Sequence, residues 1–514
     1  MGTGFRALRF GSIVCHLGPL IGALTVTTVC STAARADDTH YNDYPIGARA
    51  VGLGGAFTAL SDDPSGMFYN PAGIVDVKRT SVEVSTNLYG VELVNTDLIQ
   101  SLANFDSVVA ELNVIPTTAG VVKTLPERDA RGRPITAYSL GSFVPSYRSI
   151  NIQSLSEVAA DAAIKGCVKL AYQRSLLDRT YWLGGAVAHR LTPSIRIGMG
   201  AFATYRTLLD REQSACFATG QDNQGAFATA ATDLDLAAAS VVATFGFKME
   251  VRPNLLVGAT LSSPSVDFLS TADLRVTRGL SAPATNNSQF ALDDLKKLNA
   301  QSKTGGSLRV GIAKIVPSLA TIVFDLSIHA PVRYKLVEIP RDRPDISERL
   351  TIVNDVERRF IVNAHLGAEW LVEKSWSVAA GVFTNLASSP PLPGVDGQRF
   401  SQDQLPHVNG LGGSLVLGLF GDYTLTRLGL TGSYGAGSDV VAQQDGLRAL
   451  TEDTAFTKAS LRQLFFFFYL STTLRLEDTE ARPEEMEDSG DILDIEPARS
   501  SSETLAPSET SSST

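Results

Sequence analysis

Beyond the first 36 residues the chain has five histidines: His40, His189, His329, His365 and His407. Two of them, His329 and His365, fall with Asp325, Asn363 and Glu369 on the polar faces of two alternating stretches. Imidazole beside carboxylate can relay a proton or hold a metal. That chemistry also needs a nucleophile elbow or a ligand pair such as H-E-x-x-H, and the sequence has neither. The same five residues suit the polar lumen of a barrel, where they would pair with one another. The expectation is therefore no catalytic residue, no metal and no cofactor, with these five as a candidate lumen cluster. Four cysteines complete the reactive inventory: Cys15, Cys30, Cys167 and Cys216. None has C-x-x-C spacing, which argues against zinc. Cys167 and Cys216 are a candidate disulfide in an exported protein, and two isolated buried thiols are the alternative.

The elements that carry these residues read as strands. In 195–205, Ile195, Ile197, Met199, Ala201, Ala203 and Tyr205 alternate with Arg196, Gly198, Gly200, Phe202 and Thr204. The same period of two runs through 320–330 and 360–370. Such alternation means a strand with one apolar and one polar face. Strands of ten residues or more match the ~9–11 of a tilted membrane strand better than the ~5–6 usual in soluble sheets. We place fourteen strands near 80–94, 111–124, 135–145, 179–191, 195–209, 236–250, 254–269, 306–316, 319–336, 358–371, 376–388, 408–421, 424–436 and 462–476. Short turns such as Thr192-Pro193-Ser194 alternate with long polar segments near 210–235, 270–305, 337–357, 389–407 and 437–461. That is the outer-membrane pattern of tight periplasmic turns and long external loops, and Ile197 should then face lipid. The fold class is all-β, a transmembrane antiparallel barrel. Closure is required because an open edge in lipid leaves backbone groups unpaired.

Charge and composition frame the ends. The formal net charge is −10. Residues 477–514 hold twelve acidic and two basic residues, so they account for all of it. The remainder is balanced and lacks the basic stripe of a nucleic-acid binder. The tail is too polar to bury a core, so it reads as a disordered acidic extension in the periplasm, either merely solvated or docking to a periplasmic partner. At the other end, Arg6 and Arg9 precede an apolar stretch that finishes at Ala34-Arg35-Ala36. This reads as a signal peptide over 1–36, cleaved before Asp37 and exporting the chain to the outer membrane. The domain expectation is a signal at 1–36, a small plug at 37–79, a barrel at 80–476 and the tail at 477–514.

The plug region carries a motif. Within 45–75, Gly47-Ala48-Arg49-Ala50, Gly54-Gly55-Ala56-Phe57 and Asn70-Pro71-Ala72-Gly73 stand out. Read alone they make a compact loop. The glycines are no dinucleotide fingerprint, because no βαβ unit surrounds them. The segment resembles the hatch of the FadL/TodX family of outer-membrane transporters for hydrophobic compounds, and PorV-like barrels linked to protein secretion share the signature. The resemblance implies hatch-gated uptake of long-chain fatty acids or aromatic hydrocarbons, with sideways release into membrane lipid through a kinked third strand. It assigns gating to Gly54, Gly55, Asn70, Pro71 and Ala72, and the kink to Gly141 and Pro145 in 135–145. Segments 146–178 and 270–305 are the candidate capture loops. Its PorV-like branch implies the alternative, a non-transporting scaffold barrel.

Overall fold

The computed structural model describes residues 40–41, 46–96, 106–111, 115–157, 169–219, 225–282, 287–348, 350, 352–395, 398–400, 404–442 and 456–476. The expected signal peptide, Cys167 and the acidic tail lie outside these residues.

Fourteen strands close into one antiparallel barrel. They are β1 (Ser81–Thr96), β2 (Ile115–Thr124), β3 (Thr136–Glu157), β4 (Lys169–Arg190), β5 (Ile195–Thr219), β6 (Gly225–Arg252) and β7 (Leu255–Ser262). The circuit continues through β8 (Ser307–Val316), β9 (Ala320–His329), β10 (Ile361–Glu373), β11 (Trp376–Asn385), β12 (His407–Phe420), β13 (Thr424–Ala442) and β14 (Phe456–Arg475). Closure is the β1–β14 ladder, which runs from Ser81↔Arg475 to Thr96↔Leu461. It joins the first strand to the last, so neither is left as an edge in lipid, where each unpaired backbone group would cost several kcal/mol.

The strands keep the expected alternation. On β5, Ile197, Met199 and Tyr205 are exposed, while Phe202 between them is buried. The outer face is apolar because it meets lipid; the inner face is closed by the N-terminal segment. The aromatic run Phe465–Phe468 lies in β14, paired with Tyr89–Glu92 of β1 on one side and with Leu430–Ser433 of β13 on the other.

Several expected loops are strands. Of residues 210–235, 210–219 and 225–235 are the upper halves of β5 and β6, which pair from Thr219↔Gly225 downward without a break. Segment 270–305 is mostly a hairpin, Val266–Ala282 with Asn287–Asn299, whose first strand pairs with upper β6. In the expected capture segment 146–178, the described residues are β3 continuing to Glu157 and β4 starting at Lys169. Segment 437–461 likewise contains the ends of β13 and β14. The physical reason is an inversion of pattern. Above the lipid belt the outer face meets water and carries Arg211, Asp235, Asp273 and Arg275, all exposed. There the inner face is apolar, with Leu234, Leu236 and Leu274 packed against Tyr334, Ile346 and Val356. A search for apolar-out strands stops where the surroundings change.

Two expected strands are cut short by proline. The stretch 254–269 leaves the barrel at Ser262, before Pro264, and 319–336 stops at His329, before Pro331. Proline removes a ladder donor and fixes φ. After Pro331, Val332–Lys335 pairs with Asp355–Arg358, flanking a short helix, Pro344–Glu348, over the inner wall.

Candidate functional site in the lumen

The N-terminal segment 46–77 fills the barrel. It is built from α1 (Ala48–Gly52), α2 (Gly66–Tyr69) and a 3-10 turn, Pro71–Asp76. Nearly every residue in it is buried. Asn70 starts the 3-10 turn as an N-cap: its Oδ1 accepts from the Ala72 amide at 3.0 Å, and Pro71 follows, where its missing N–H costs nothing. The Asn70 Nδ2 donates to the carbonyls of Thr58 and of Phe247 on β6, both at 2.9 Å. One amide thus caps the turn, crosses the plug and ties it to the wall.

Backbone proximity explains the inward glycines. A Cβ at Gly246 would sit 2.2 Å from Asn70 Oδ1, and one at Gly381 2.1 Å from the Gly54 amide nitrogen. Gly198, Gly258 and Gly367 meet Pro71–Ala72, Thr58–Ala59 and Leu53 in the same way. Gly54 and Gly55 have φ of 63° and 83°, left-handed values that favour glycine, where the plug bends against β11 and β10.

Charge fixes the plug at three places. Arg49 donates to both Asp62 oxygens at 2.7 and 2.8 Å and to Glu369 Oε2 at 2.8 Å. Asp325 Oδ2 accepts the amides of Phe57 and Thr58 at 2.8 and 2.7 Å. Asp76 is held by Arg190 at 2.7 Å, Arg196 at 3.1 Å and Lys248 at 2.7 Å. Burial alone would push the Asp76 carboxyl up, but Lys248, Arg196 and Arg190 hold it well below the usual carboxylate range. Burial raises the Tyr69 phenol to about 12.

The five-residue lumen cluster is inward and buried, but its members bind the plug and wall separately. Asp325 and His365 are cross-strand neighbours. The Gly54 carbonyl, 2.8 Å from His365 Nδ1, can only accept, so Nδ1 carries the proton. His365 Nε2 then accepts from the Ser327 hydroxyl at 3.2 Å. His329 stacks on Tyr41, with ring centroids 3.8 Å apart, and Asn363 Oδ1 accepts from Thr384 and the Leu386 amide. Glu369 belongs to Arg49. No three His, Cys, Asp or Glu side chains are grouped to hold a metal among the described residues. Cys216 is buried on β5 and disulfide-bonded.

The wall has a discontinuity at β3. Its ladder to β2 runs from Thr124↔Ala137 to Thr118↔Phe143 and ends there. β2 stays paired with β1 on its other side, from Ser81↔Val122 up to Asn87↔Ile115, and Asp106–Glu111 pairs with β1 beyond that. On its other side β3 bulges: Phe143 faces Trp182, whereas Ser146 faces Thr180, so one residue is extra. Val144 and Pro145 form the bulge, three and four residues after Gly141, which pairs with Gly120 and Gly184. Pro116 and Pro145, each without an amide donor, lie where the β2–β3 ladder stops.

Inside this discontinuity lies an aromatic cluster. Phe68 contacts Phe143 and Trp182 at centroid distances of 5.6 and 5.5 Å, and Trp182 contacts Phe202 at 5.5 Å. Arg309 on β8 places its guanidinium over the Phe68 and Tyr69 rings at 5.5 and 5.2 Å. The sequence reading missed Pro116, Trp182, Phe202, Arg309 and the Asp76 cluster. The signal for the last was available: Arg190, Arg196 and Lys248 are inward-parity cations that need a counter-ion.

A closed fourteen-stranded barrel with an N-terminal segment folded inside it defines an outer-membrane type of barrel. Comparison with solved structures gives the nearer likeness. A Pseudomonas aeruginosa FadL homologue aligns with TM-score 0.53 and 12% identity over 85% of this chain and 100% of its own. The P. putida toluene transporter TodX gives 0.52 at 10% identity over 84% and 99%. A TodX deltaS2 mutant monoaromatic hydrocarbon channel gives 0.55 at 10% identity over 85% and 100%. The chain therefore has the FadL/TodX barrel fold; identities this low carry the fold and no more. No family model and no curated protein matches the sequence.

Proposed function

We propose that the protein carries hydrophobic compounds, long-chain fatty acids or aromatic hydrocarbons, across the outer membrane and releases them sideways. It would reach that membrane through the N-terminal signal, cleaved before Asp37. The observation that carries the reading is the end of the β2–β3 ladder at Phe143, directly outside the Phe68, Phe143, Trp182 and Phe202 cluster. An apolar solute gains by leaving water for aromatic side chains and then lipid, and loses by crossing a wet lumen. The plug below is tied to the wall through Glu369, Asp76 and Asp325, which favours a sideways route over one through it. Arg309 above the aromatic rings supplies a cation for a carboxylate head group, so fatty acids suit the same site. Gly54, Gly55, Asn70, Pro71 and Ala72 then act by fixing the plug, and Gly141 and Pro145 by shaping the exit.

The test is removal of one residue. Deleting Pro145 takes out the extra residue, so Val144 comes opposite Tyr181 and the β3–β4 ladder runs straight, which removes the bend at the point where β3 parts from β2. Uptake of labelled palmitate and toluene is measured in cells carrying the full-length protein or this deletion, with folding checked by heat-modifiable gel mobility. We expect a folded barrel with uptake lost for both. Unchanged uptake by the folded deletion rejects lateral release; no uptake above a barrel-free control by the unaltered protein favours the scaffold reading.

A further inference from the structure

We propose that Asp63 and Glu83 keep one proton between them and so latch one flank of the plug, and that losing this proton frees that flank while the other stays anchored. The plug meets the wall on two sides. Its 3-10 turn is fixed to β4, β5 and β6 by Asp76 with Arg190, Arg196 and Lys248. Its α1 lies across the lumen, where Ala48 and Val51 pack on Ala379 of β11, Val416 of β12 and Tyr469 of β14. On this second side Asp63 and Glu83 are held by neutral donors. Asp63 Oδ1 accepts from the Ser65 hydroxyl at 2.6 Å and the Gly66 amide at 3.2 Å. Glu83 Oε1 on β1 accepts from the Ala48 amide at 3.3 Å and the Ser85 and Ser471 hydroxyls at 3.3 and 3.5 Å. Their second oxygens, Asp63 Oδ2 and Glu83 Oε2, are closed off from solvent with no hydrogen-bond partner among the described residues. The two side chains meet at Gly47. A Cβ there would lie 2.1 Å from the Ser65 Oγ that donates to Asp63, and 3.8 Å from Glu83 Oε1.

Charge balance then calls for a proton. Around α1 four carboxylates, Asp62, Asp63, Glu83 and Glu369, face two guanidinium groups, Arg49 and Arg427. Arg49 is taken by Asp62 and Glu369. Arg427 of β13 is 3% exposed, and its Nη2, 3.8 Å from Glu369 Oε1, makes no hydrogen bond. Lys248 is held by Asp76, and Arg475 at the end of β14 is set among Arg427, Arg79 and Arg49. Tyr469 of β14 is a phenol, with an ordinary value of about 10. Two carboxylates out of water, neither with a cation of its own, disfavour each other's ionised form. Burial pushes the Asp63 carboxyl up, against the Ser65 hydroxyl, and Asp62 beside it adds to the rise. The proton belongs to the pair rather than to either residue.

The consequence is a plug with one fixed and one releasable flank. A carboxyl raised in the folded state loses its stabilising contribution as pH rises through its folded value, so this latch weakens in alkali, whereas the Asp76 anchor weakens in acid. Hydrogen exchange of the full chain in phosphocholine nanodiscs, corrected for the intrinsic rate, reads both flanks at once. It is followed from about pH 6 to about pH 9.5, below the ordinary tyrosine value of about 10. Release of one proton changes an equilibrium about tenfold per pH unit. We expect protection of peptides covering 46–66 to be level at the acid end and then to fall with that slope, while peptides covering 71–79 stay level. Glu83→Gln and Asp63→Asn each leave one carboxylate, and both should flatten the profile of 46–66. A residue that merely packs would change the level of protection in its variant and leave the slope. A level profile in the unaltered chain overturns the proposal. So does a slope that survives in either folded variant, or one that appears equally in 71–79. None of these outcomes depends on whether the barrel transports anything.

Discussion

Asp76→Asn is the sharpest test of how the plug is held. Asp76 faces Arg190, Arg196 and Lys248 at 2.7, 3.1 and 2.7 Å, and the cation side chains are 2%, 6% and 2% exposed. Breaking a buried ion pair by removing one partner costs about 3–5 kcal/mol, because the remaining charge is left uncompensated. Here one carboxylate serves three cations, which raises the cost. Arg190 also donates to the Pro134 carbonyl, and Lys248 to that of Leu60, which lowers it. We therefore expect about 3–5 kcal/mol, concentrated in the plug's last turn. A loss of 4 kcal/mol is roughly a thousandfold in the opening equilibrium. Hydrogen exchange followed by mass spectrometry should then accelerate by two to three orders of magnitude for peptides covering 71–79, but not for those in β12 and β13. Adding Lys248→Met to Asp76→Asn removes one stranded cation and should recover part of the loss. A change below about 1 kcal/mol, or costs in the double variant that simply add, would refute the claim that these charges anchor the plug.

Four further outcomes are expected. Ile197→Arg puts a charge on the lipid face and should cost about 2–4 kcal/mol in a reversible bilayer folding titration. Gly246→Ala should destabilise by about 1–3 kcal/mol because its Cβ meets Asn70 Oδ1 at 2.2 Å, whereas Gly413→Ala, whose nearest contact is 3.4 Å, should be near neutral. Asn70→Ala strands two buried carbonyls and should change ligand uptake while the barrel still migrates as folded. Asp76 has a lowered folded-state pKa, so its stabilisation is complete above the ordinary carboxylate value of about 4 and is lost as pH falls below it. Tyr69 is raised, so its contribution is present below about 10 and is lost as pH rises towards about 12. Plug protection followed across pH by hydrogen exchange, corrected for the intrinsic rate, checks both limbs.

The amino-acid sequence determined the barrel. Period-two alternation in strands too long for a soluble sheet, and short turns set against long connections, follow from lipid outside and a filled lumen inside. Those are local demands that each strand meets by itself, so each can be read by itself. The upper halves of β5 and β6 escaped this reading because the apolar face changes sides where lipid gives way to water. Plug residues such as Asn70 and Gly54 could be singled out by type and spacing, but not what they touch. Only closure of the chain put Asn70 against Phe247, Gly54 against β11 and Asp76 among three cations more than a hundred residues away. The same holds for the lumen cluster, whose five members share a face in sequence yet serve different partners once the plug lies between them. The end of the β2–β3 ladder beside Phe143 is also a tertiary fact: β2 keeps its ladder to β1 while β3 continues upward with β4, and hydrogen-bond partners chosen between strands leave no mark on either strand alone.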